Sequence, residues 1–179
     1  MKLVNAVDTI IIESPIGKLL AKATATGICS FEFAEEKNTL SELPEILFAD
    51  KKNKHLIKLQ KQVEEYFSGN RKNFDLILEP DGTIFQQKVW SELLKIPFGK
   101  TRSYKEQSIA VGDLKAIRAV ATANGANPIA IIIPCHRIIG TDGSLTGYAG
   151  GLWRKKWLLE FERNNSAIDK QLSLLNEFL

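Results

Sequence analysis

One short segment carries residue types that can do nucleophilic chemistry. Cys135, His136 and Arg137 are adjacent and follow an apolar run that ends at Pro134. A cysteine becomes a strong nucleophile when a nearby base or positive charge favours its thiolate. A single cysteine or histidine is more often a structural residue. Side by side at the end of a buried strand, which the apolar pattern predicts over residues 127–139, they indicate a nucleophile next to a base.

The residues before this segment predict a helix-turn-helix. Two capping-box patterns, in which a hydroxyl residue precedes Gln or Glu by three positions, begin helices at Thr83 and Ser103. Gly112 ends the second of these helices, and Asp113 begins a third that ends near Asn124. Two short helices separated by a glycine-containing turn are typical of the motif.

Small residues dominate the outer positions of the third predicted helix. Arg118 is the single arginine beside them, and the small residues are Ala119, Ala121, Thr122 and Ala123. Because the minor groove of DNA is narrow, a slim helix with one arginine fits it better than a bulky helix does. The alternative is that the alanines only allow close helix packing in a core.

The N-terminal part has a different pattern. Residues 7–33 alternate β-branched runs with turn signals and predict a three-stranded antiparallel meander. Apolar spacing predicts a helix from about residue 50 to Phe67, and residues 74–78 predict a short strand. We therefore expect an N-terminal α/β domain over residues 1–82 and a second domain over residues 83–179.

Charge is divided unevenly between these two parts. Residues 1–82 hold 11 Lys and Arg against 13 Asp and Glu, whereas residues 83–179 hold 13 against 8. A basic C-terminal half favours a polyanionic partner, although a solvated lysine-rich surface is the alternative. Only two cysteines are present and no export signal or membrane span is apparent, so we expect a cytoplasmic protein, or a nuclear one in a eukaryote, without a disulfide framework.

Several segments together carry a family resemblance. Residues 134–137, preceded by Asn127 and followed by residues 147–151, resemble the active-site signature of the O6-alkylguanine-DNA alkyltransferases, also called methylated-DNA–protein-cysteine methyltransferases. The remaining similar segments occur in the family's order and spacing: residues 14–17, 66–69, 85–90, 96–99, 103–104 and 115–120. The resemblance therefore covers nearly the whole chain.

The resemblance implies both a fold and an activity. The fold is α/β (α+β), with a ribonuclease-H-like N-terminal domain holding a small antiparallel sheet and a helical C-terminal domain of winged-helix type. The activity is irreversible, stoichiometric transfer of an alkyl group to Cys135 from O6-alkylguanine, and from O4-alkylthymine, after base flipping. We expect double-stranded DNA as the partner, approached from the minor groove, and a monomer without cofactor, metal or membrane contact.

The same resemblance assigns roles to individual residues. His136 acts on Cys135 through a water, and Glu162 polarises His136. Glu160, two positions before Glu162, is the alternative candidate for this acid. Tyr104 helps to protonate the leaving guanine, and Arg118 fills the space of the flipped base. Asn127 matches a hinge asparagine, and the substrate pocket comprises Tyr104, Ile138, Tyr148, Ala149 and Gly150. One departure from the family pattern is Gln107, at a position that is usually apolar.

Three other functions are alternatives to this one. A lesion-binding protein without transfer activity is disfavoured because such relatives lack the acceptor cysteine, whereas Cys135 is present. A transcriptional regulator is disfavoured because it would carry an additional sensor domain. A cysteine hydrolase is disfavoured because adjacent residues on a strand point in opposite directions. Residues 166–179 predict a helical extension that either packs back on the protein or binds a partner.

Overall fold

The computed structural model describes residues 7–34 and 53–176, with side chains through residue 166. The chain divides into two compact units. The first comprises Met1–Asp81 and Pro128–Ala130, and the second comprises Gly82–Asn127 and Ile131–Leu179. Residues 128–130, which the sequence-based division assigns to the second domain, thus belong to the first unit. Residues 35–52, which include the predicted start of the helix near residue 50, lie outside the described part of the chain.

A three-stranded antiparallel sheet forms the first unit's framework, as predicted. Its strands are β1 (Asp8–Ile12), β2 (Leu19–Ala23) and β3 (Ile28–Phe33), in the order β1-β2-β3. The central strand β2 is buried at four of its five positions, which is why it consists almost entirely of apolar residues. Helix α1 (Lys54–Phe67) packs against β1 and β2 through an amphipathic face.

The predicted strand over residues 74–78 is wrong. Only Leu78 makes a β-bridge, which is parallel and joins it to Ile28. On the same edge strand, β3, Phe31 makes a similar parallel bridge with Ile129. Each bridge gives the backbone N–H and carbonyl of one β3 residue a hydrogen-bond partner.

The second unit begins with three helices, and the first two of them begin at the predicted caps. They are α2 (Ile84–Leu93), α3 (Tyr104–Val111) and α4 (Ile117–Gly125). Both capping boxes form, at Thr83 and at Ser103, and Gly112 ends α3 in a left-handed conformation with φ 101°. Asp113 caps a short 3₁₀ turn rather than α4 itself, so the third helix begins later than predicted.

A small parallel sheet and one long helix complete the second unit. Strands β4 (Arg102–Ser103) and β5 (Ile138–Ile139) pair in parallel. Helix α5 (Leu152–Asn176) runs without interruption, so the predicted C-terminal helix is the end of α5, and residues 177–179 lie outside the described part. The predicted mixed α/β fold, a small antiparallel sheet followed by a helical region, is confirmed. Within residues 7–34 and 53–176, no helix combines the length and apolar character that a membrane crossing requires.

Candidate active site

The segment that leads to Cys135 is a buried turn and not the predicted strand. Residues 130–133 form turns, and Cys135–Arg137 form a 3₁₀ helix that leads into β5. Ile131 has φ 69°, a conformation that β-branched residues rarely adopt, and its side chain is buried. The strand-based argument against a hydrolase therefore does not apply to this backbone.

The Asn127 side chain forms a hydrogen bond with the Cys135 thiol. Its Nδ2 donates to Cys135 Sγ at 3.2 Å and to the carbonyl of Ile133 at 2.8 Å. One buried amide thus connects the end of the α4 segment to the turn that presents the cysteine. Cys135 itself is only partly exposed, and burial raises the pKa of its thiol against the opposing effect of the Asn127 hydrogen bond.

A buried hydrogen-bond network lies next to the cysteine. Oε1 of Glu162, on α5, forms a 2.9 Å hydrogen bond with Nε2 of His136. The guanidinium of Arg137 binds the same carboxylate with two nitrogens, at 2.8 and 2.9 Å, and the backbone N–H of Gly99 adds a contact at 3.0 Å. The side chains of His136 and Glu162 are completely buried. Of the two candidate acids, Glu160 is exposed and faces Lys156, so Glu162 is the one that contacts His136.

The charges of this network follow from its contacts. Burial alone would raise the pKa of Glu162, but the hydrogen bond from His136 and the hydrogen bonds and charge of Arg137 outweigh it, and the pKa lies well below its usual range. Burial lowers the pKa of His136 despite Glu162, so the imidazole is neutral at pH 7. A neutral imidazole facing a carboxylate carries its proton on Nε2, which leaves Nδ1 as the basic atom. His136 Nδ1 is buried and has no hydrogen-bond partner within the described residues.

The positive charge that acts on Cys135 comes from Lys155. Arg137 lies two positions after Cys135 in the sequence, but its side chain is directed to Glu162 and to the carbonyl of Ile96. Lys155 is completely buried, and its charge favours the Cys135 thiolate. Burial lowers the pKa of Lys155 to about 8, against the opposing effect of Cys135. Its Nζ donates to the carbonyls of Thr146 and Gly147 at 2.7 and 3.3 Å.

Cys135 opens into a cavity of about 550 Å³, a size typical of ligand pockets. Of the predicted pocket residues, Tyr104, Tyr148 and Ala149 line it. The other two, Ile138, which is completely buried, and Gly150, lie outside this lining, and their place in the substrate pocket stays a prediction. Tyr104 hydroxyl donates to the Thr146 carbonyl at 3.3 Å, and burial raises the pKa of Tyr104, so the hydroxyl keeps its proton at neutral pH.

Helix α4 forms another wall of this cavity. Arg118 and Ala121 line it, and Arg118, Ala119 and Thr122 are exposed to solvent. Ala123 was predicted to face outward and does not. It is buried, and its carbonyl accepts a hydrogen bond from Trp90 Nε1 at 2.8 Å, so it belongs to the packing between α2 and α4.

Both units match models of one protein family. Residues 9–80 match "6-O-methylguanine DNA methyltransferase, ribonuclease-like domain", and residues 84–164 match "6-O-methylguanine DNA methyltransferase, DNA binding domain". A methylated-DNA--protein-cysteine methyltransferase of Methanosarcina barkeri is 49% identical over 155 residues, which cover 87% of this chain and 96% of that protein. The chain belongs to the methylated-DNA–protein-cysteine methyltransferase family.

Other members of this methyltransferase family show similar agreement. The Mycobacterium bovis protein of the same name is 53% identical over 111 residues, covering 62% of this chain and 67% of its own. A crystal structure of Mycobacterium tuberculosis OGT in complex with DNA has a TM-score of 0.77 at 41% identity, covering 88% of this chain and 93% of that one. By family, therefore, the chain is a DNA-repair methyltransferase.

Two features of this methyltransferase site were missed from the sequence. Lys155 was not singled out, although Lys155, Leu158 and Glu162 occupy one buried face of α5 at spacings of three and four residues. The other is the carboxylate's contact with Gly99, whose backbone has φ 71° and whose added Cβ would collide with the Ser166 side chain. A glycine after Pro-Phe is a detectable turn signal, but its partner on α5 is not.

Proposed function

We propose that this protein removes the alkyl group from O6 of guanine in double-stranded DNA by transferring it to Cys135 Sγ. The transfer is irreversible and stoichiometric, so each protein molecule acts once. The observation that carries the proposal is the position of Cys135, at the wall of a nucleotide-sized cavity and beside the buried pair of His136 and Glu162.

The proposed step begins with a proton transfer. Because burial raises the pKa of Cys135, the resting thiol is protonated and needs a base. His136 Nδ1 takes the proton through a bridging water, and Glu162 stabilises the resulting imidazolium. Lys155 favours the thiolate by its charge.

The alkyl transfer then balances without an oxidant, a reductant or a cofactor. The Sγ electron pair forms the new S–C bond while the bond between the alkyl carbon and O6 breaks. The electron pair of the broken bond goes to the guanine, which leaves as an anion and is protonated with the help of the Tyr104 hydroxyl. The product is unmodified guanine and a stable thioether, which explains why the protein is not regenerated.

A base inside a duplex cannot reach this cavity, so the proposal includes base flipping. Arg118 stands exposed at the rim of the cavity and fills the space that the base vacates. Ala119, Ala121 and Thr122 keep the adjacent surface of α4 slim, which suits the minor groove. The protein acts as a monomer, and O4-alkylthymine, which also carries its alkyl group on an exocyclic oxygen, is a second substrate.

Intact-mass measurement tests this proposal directly. The protein is incubated with a duplex that carries one O6-methylguanine, alongside Cys135→Ser and the matched control Cys29→Ser. We expect one added methyl group on the wild type and on Cys29→Ser, in a one-to-one ratio with repaired DNA, and none on Cys135→Ser. Tight binding of the lesion without any mass change would instead identify a damage sensor.

A further inference from the structure

Two buried amide side chains connect α3 to α4 beneath the cavity wall. Gln107 Nε2 donates to Asn124 Oδ1 at 3.0 Å, and Asn124 Nδ2 donates to Gln107 Oε1 at 2.7 Å. Gln107 is completely buried and Asn124 is 6% exposed. The two amides thus satisfy each other through a reciprocal pair of hydrogen bonds between the two helices.

This arrangement leaves hydrogen-bonding capacity on both amides. Each carboxamide has two N–H donors and two acceptor lone pairs, and the reciprocal pair uses one of each. Asn124 is the member of the pair that lines the cavity, together with Arg118, Tyr104 and Cys135. Since an unpaired buried donor is costly, the remaining N–H of Asn124 is best satisfied by a group inside the cavity.

We propose that Asn124 donates a hydrogen bond to an acceptor atom of the alkylated nucleotide and that Gln107 fixes the Asn124 amide in the orientation this requires. The inference rests on the function proposed above and adds a substrate-contacting residue and a positioning residue to it. Asn124 and Cys135 line the same cavity, so a nucleotide whose alkyl carbon meets Sγ occupies the space that the Asn124 amide borders.

Gln107 is well placed for its positioning role. It lies three residues after Tyr104, within the single α3 helix, and it holds an amide on α4. The reciprocal pair therefore couples the helix that carries the Tyr104 hydroxyl to the helix that carries Arg118. An apolar pair would fill the same space but would not orient a donor.

The decisive variant replaces both amides by apolar side chains of similar shape, Gln107→Met with Asn124→Leu. Removing both partners together leaves no unpaired buried amide, so we expect a folded protein with little change in Tm. A matched control is Gln62→Met in the first unit, which removes a buried amide bound to the backbone of Asp75, away from any described cavity.

Three rates are compared in these proteins: alkylation of Cys135 by iodoacetamide, methyl transfer from duplex O6-methylguanine and methyl transfer from the free O6-methylguanine base. We expect the double variant to keep the wild-type iodoacetamide rate and to lose about three- to tenfold in transfer from the duplex, the effect of one hydrogen bond. A similar loss with the free base places the acceptor on the base. A loss with the duplex alone places it on the sugar-phosphate.

Failure of this inference and failure of the proposed function give different results. Wild-type transfer rates in the double variant would overturn the inference, because the pair would then only pack α3 against α4. A parallel fall in the iodoacetamide rate would also overturn it, since the amides would then act on the thiol. Absence of methyl transfer by the wild-type protein would reject the proposed function itself.

Discussion

His136 Nε2 and Glu162 Oε1 form a 2.9 Å hydrogen bond between two side chains that solvent does not reach. The same carboxylate binds Arg137 through two nitrogens and accepts the N–H of Gly99. Glu162 therefore both orients the imidazole and neutralises a buried guanidinium. Every change to this carboxylate is expected to affect stability and reactivity together.

Replacing the carboxylate by an amide tests that dual role. Glu162→Gln leaves the Arg137 charge buried without its counter-charge, so we expect the free energy of unfolding to fall by about 3–5 kcal/mol in chemical denaturation. The reaction of Cys135 should also slow, because His136 loses its anionic partner. The control is Glu160→Gln, an exposed site whose change should stay within about 0.5 kcal/mol. Equal stability of the two variants would contradict a structural role for Glu162.

The stability that Glu162 confers should depend on pH. Its pKa in the folded protein lies below the ordinary value of 4.5, so the unfolded chain binds its proton first as the pH falls. The contribution is therefore complete above about pH 4.5 and is lost at lower pH. We expect the difference in unfolding free energy between the wild type and Glu162→Gln to stay constant above about pH 5 and to narrow from there to about pH 3. If the difference in unfolding free energy stayed constant over this range, the ionised form of Glu162 would not be the source of its stabilising effect.

Lys155 should raise the reactivity of Cys135 through its charge. We expect Lys155→Met to slow iodoacetamide alkylation at pH 7 by roughly three- to tenfold, since a nearby charge shifts a thiol pKa by about one unit. Because the pKa of Lys155 is about 8, the difference from the wild type should narrow above that pH as the lysine loses its charge. Lys156→Met, the exposed neighbouring lysine, is the control. A difference that persists unchanged at high pH would mean that Lys155 acts only by holding the 146–147 carbonyls.

Arg118 should matter for duplex DNA and not for the chemical step. We expect Arg118→Ala to slow transfer from duplex O6-methylguanine by roughly ten- to a hundredfold, because the flipped base is no longer replaced in the stack. Transfer from the free O6-methylguanine base should be unchanged. Lys88→Ala removes the same charge from an exposed position on α2 and serves as the control. If Arg118→Ala and Lys88→Ala slowed transfer from the duplex by the same factor, Arg118 would act only by attracting DNA through its charge.

Local sequence signals determined much of the fold. The meander of β1 to β3 and the capping boxes at Thr83 and Ser103 were predictable because each depends on residues within a few positions of one another. The turn before Cys135 was mistaken for a strand because a short buried apolar run has no period that separates a strand from a packed turn. The prediction that Ala123 faces outward is wrong because small residues suit a helix surface and a helix contact equally well.

The sequence by itself also determined which residues belong to the reactive segment, since Cys135 and His136 are adjacent and their neighbours carry a specific pattern. Only the tertiary structure decided their electrostatics. It directs Arg137 to a carboxylate 25 positions away, brings Lys155 to the thiol, and pairs Gln107 with Asn124 across 17 positions. A charge or an amide acts through distance and burial, and neither is defined until separate helices pack.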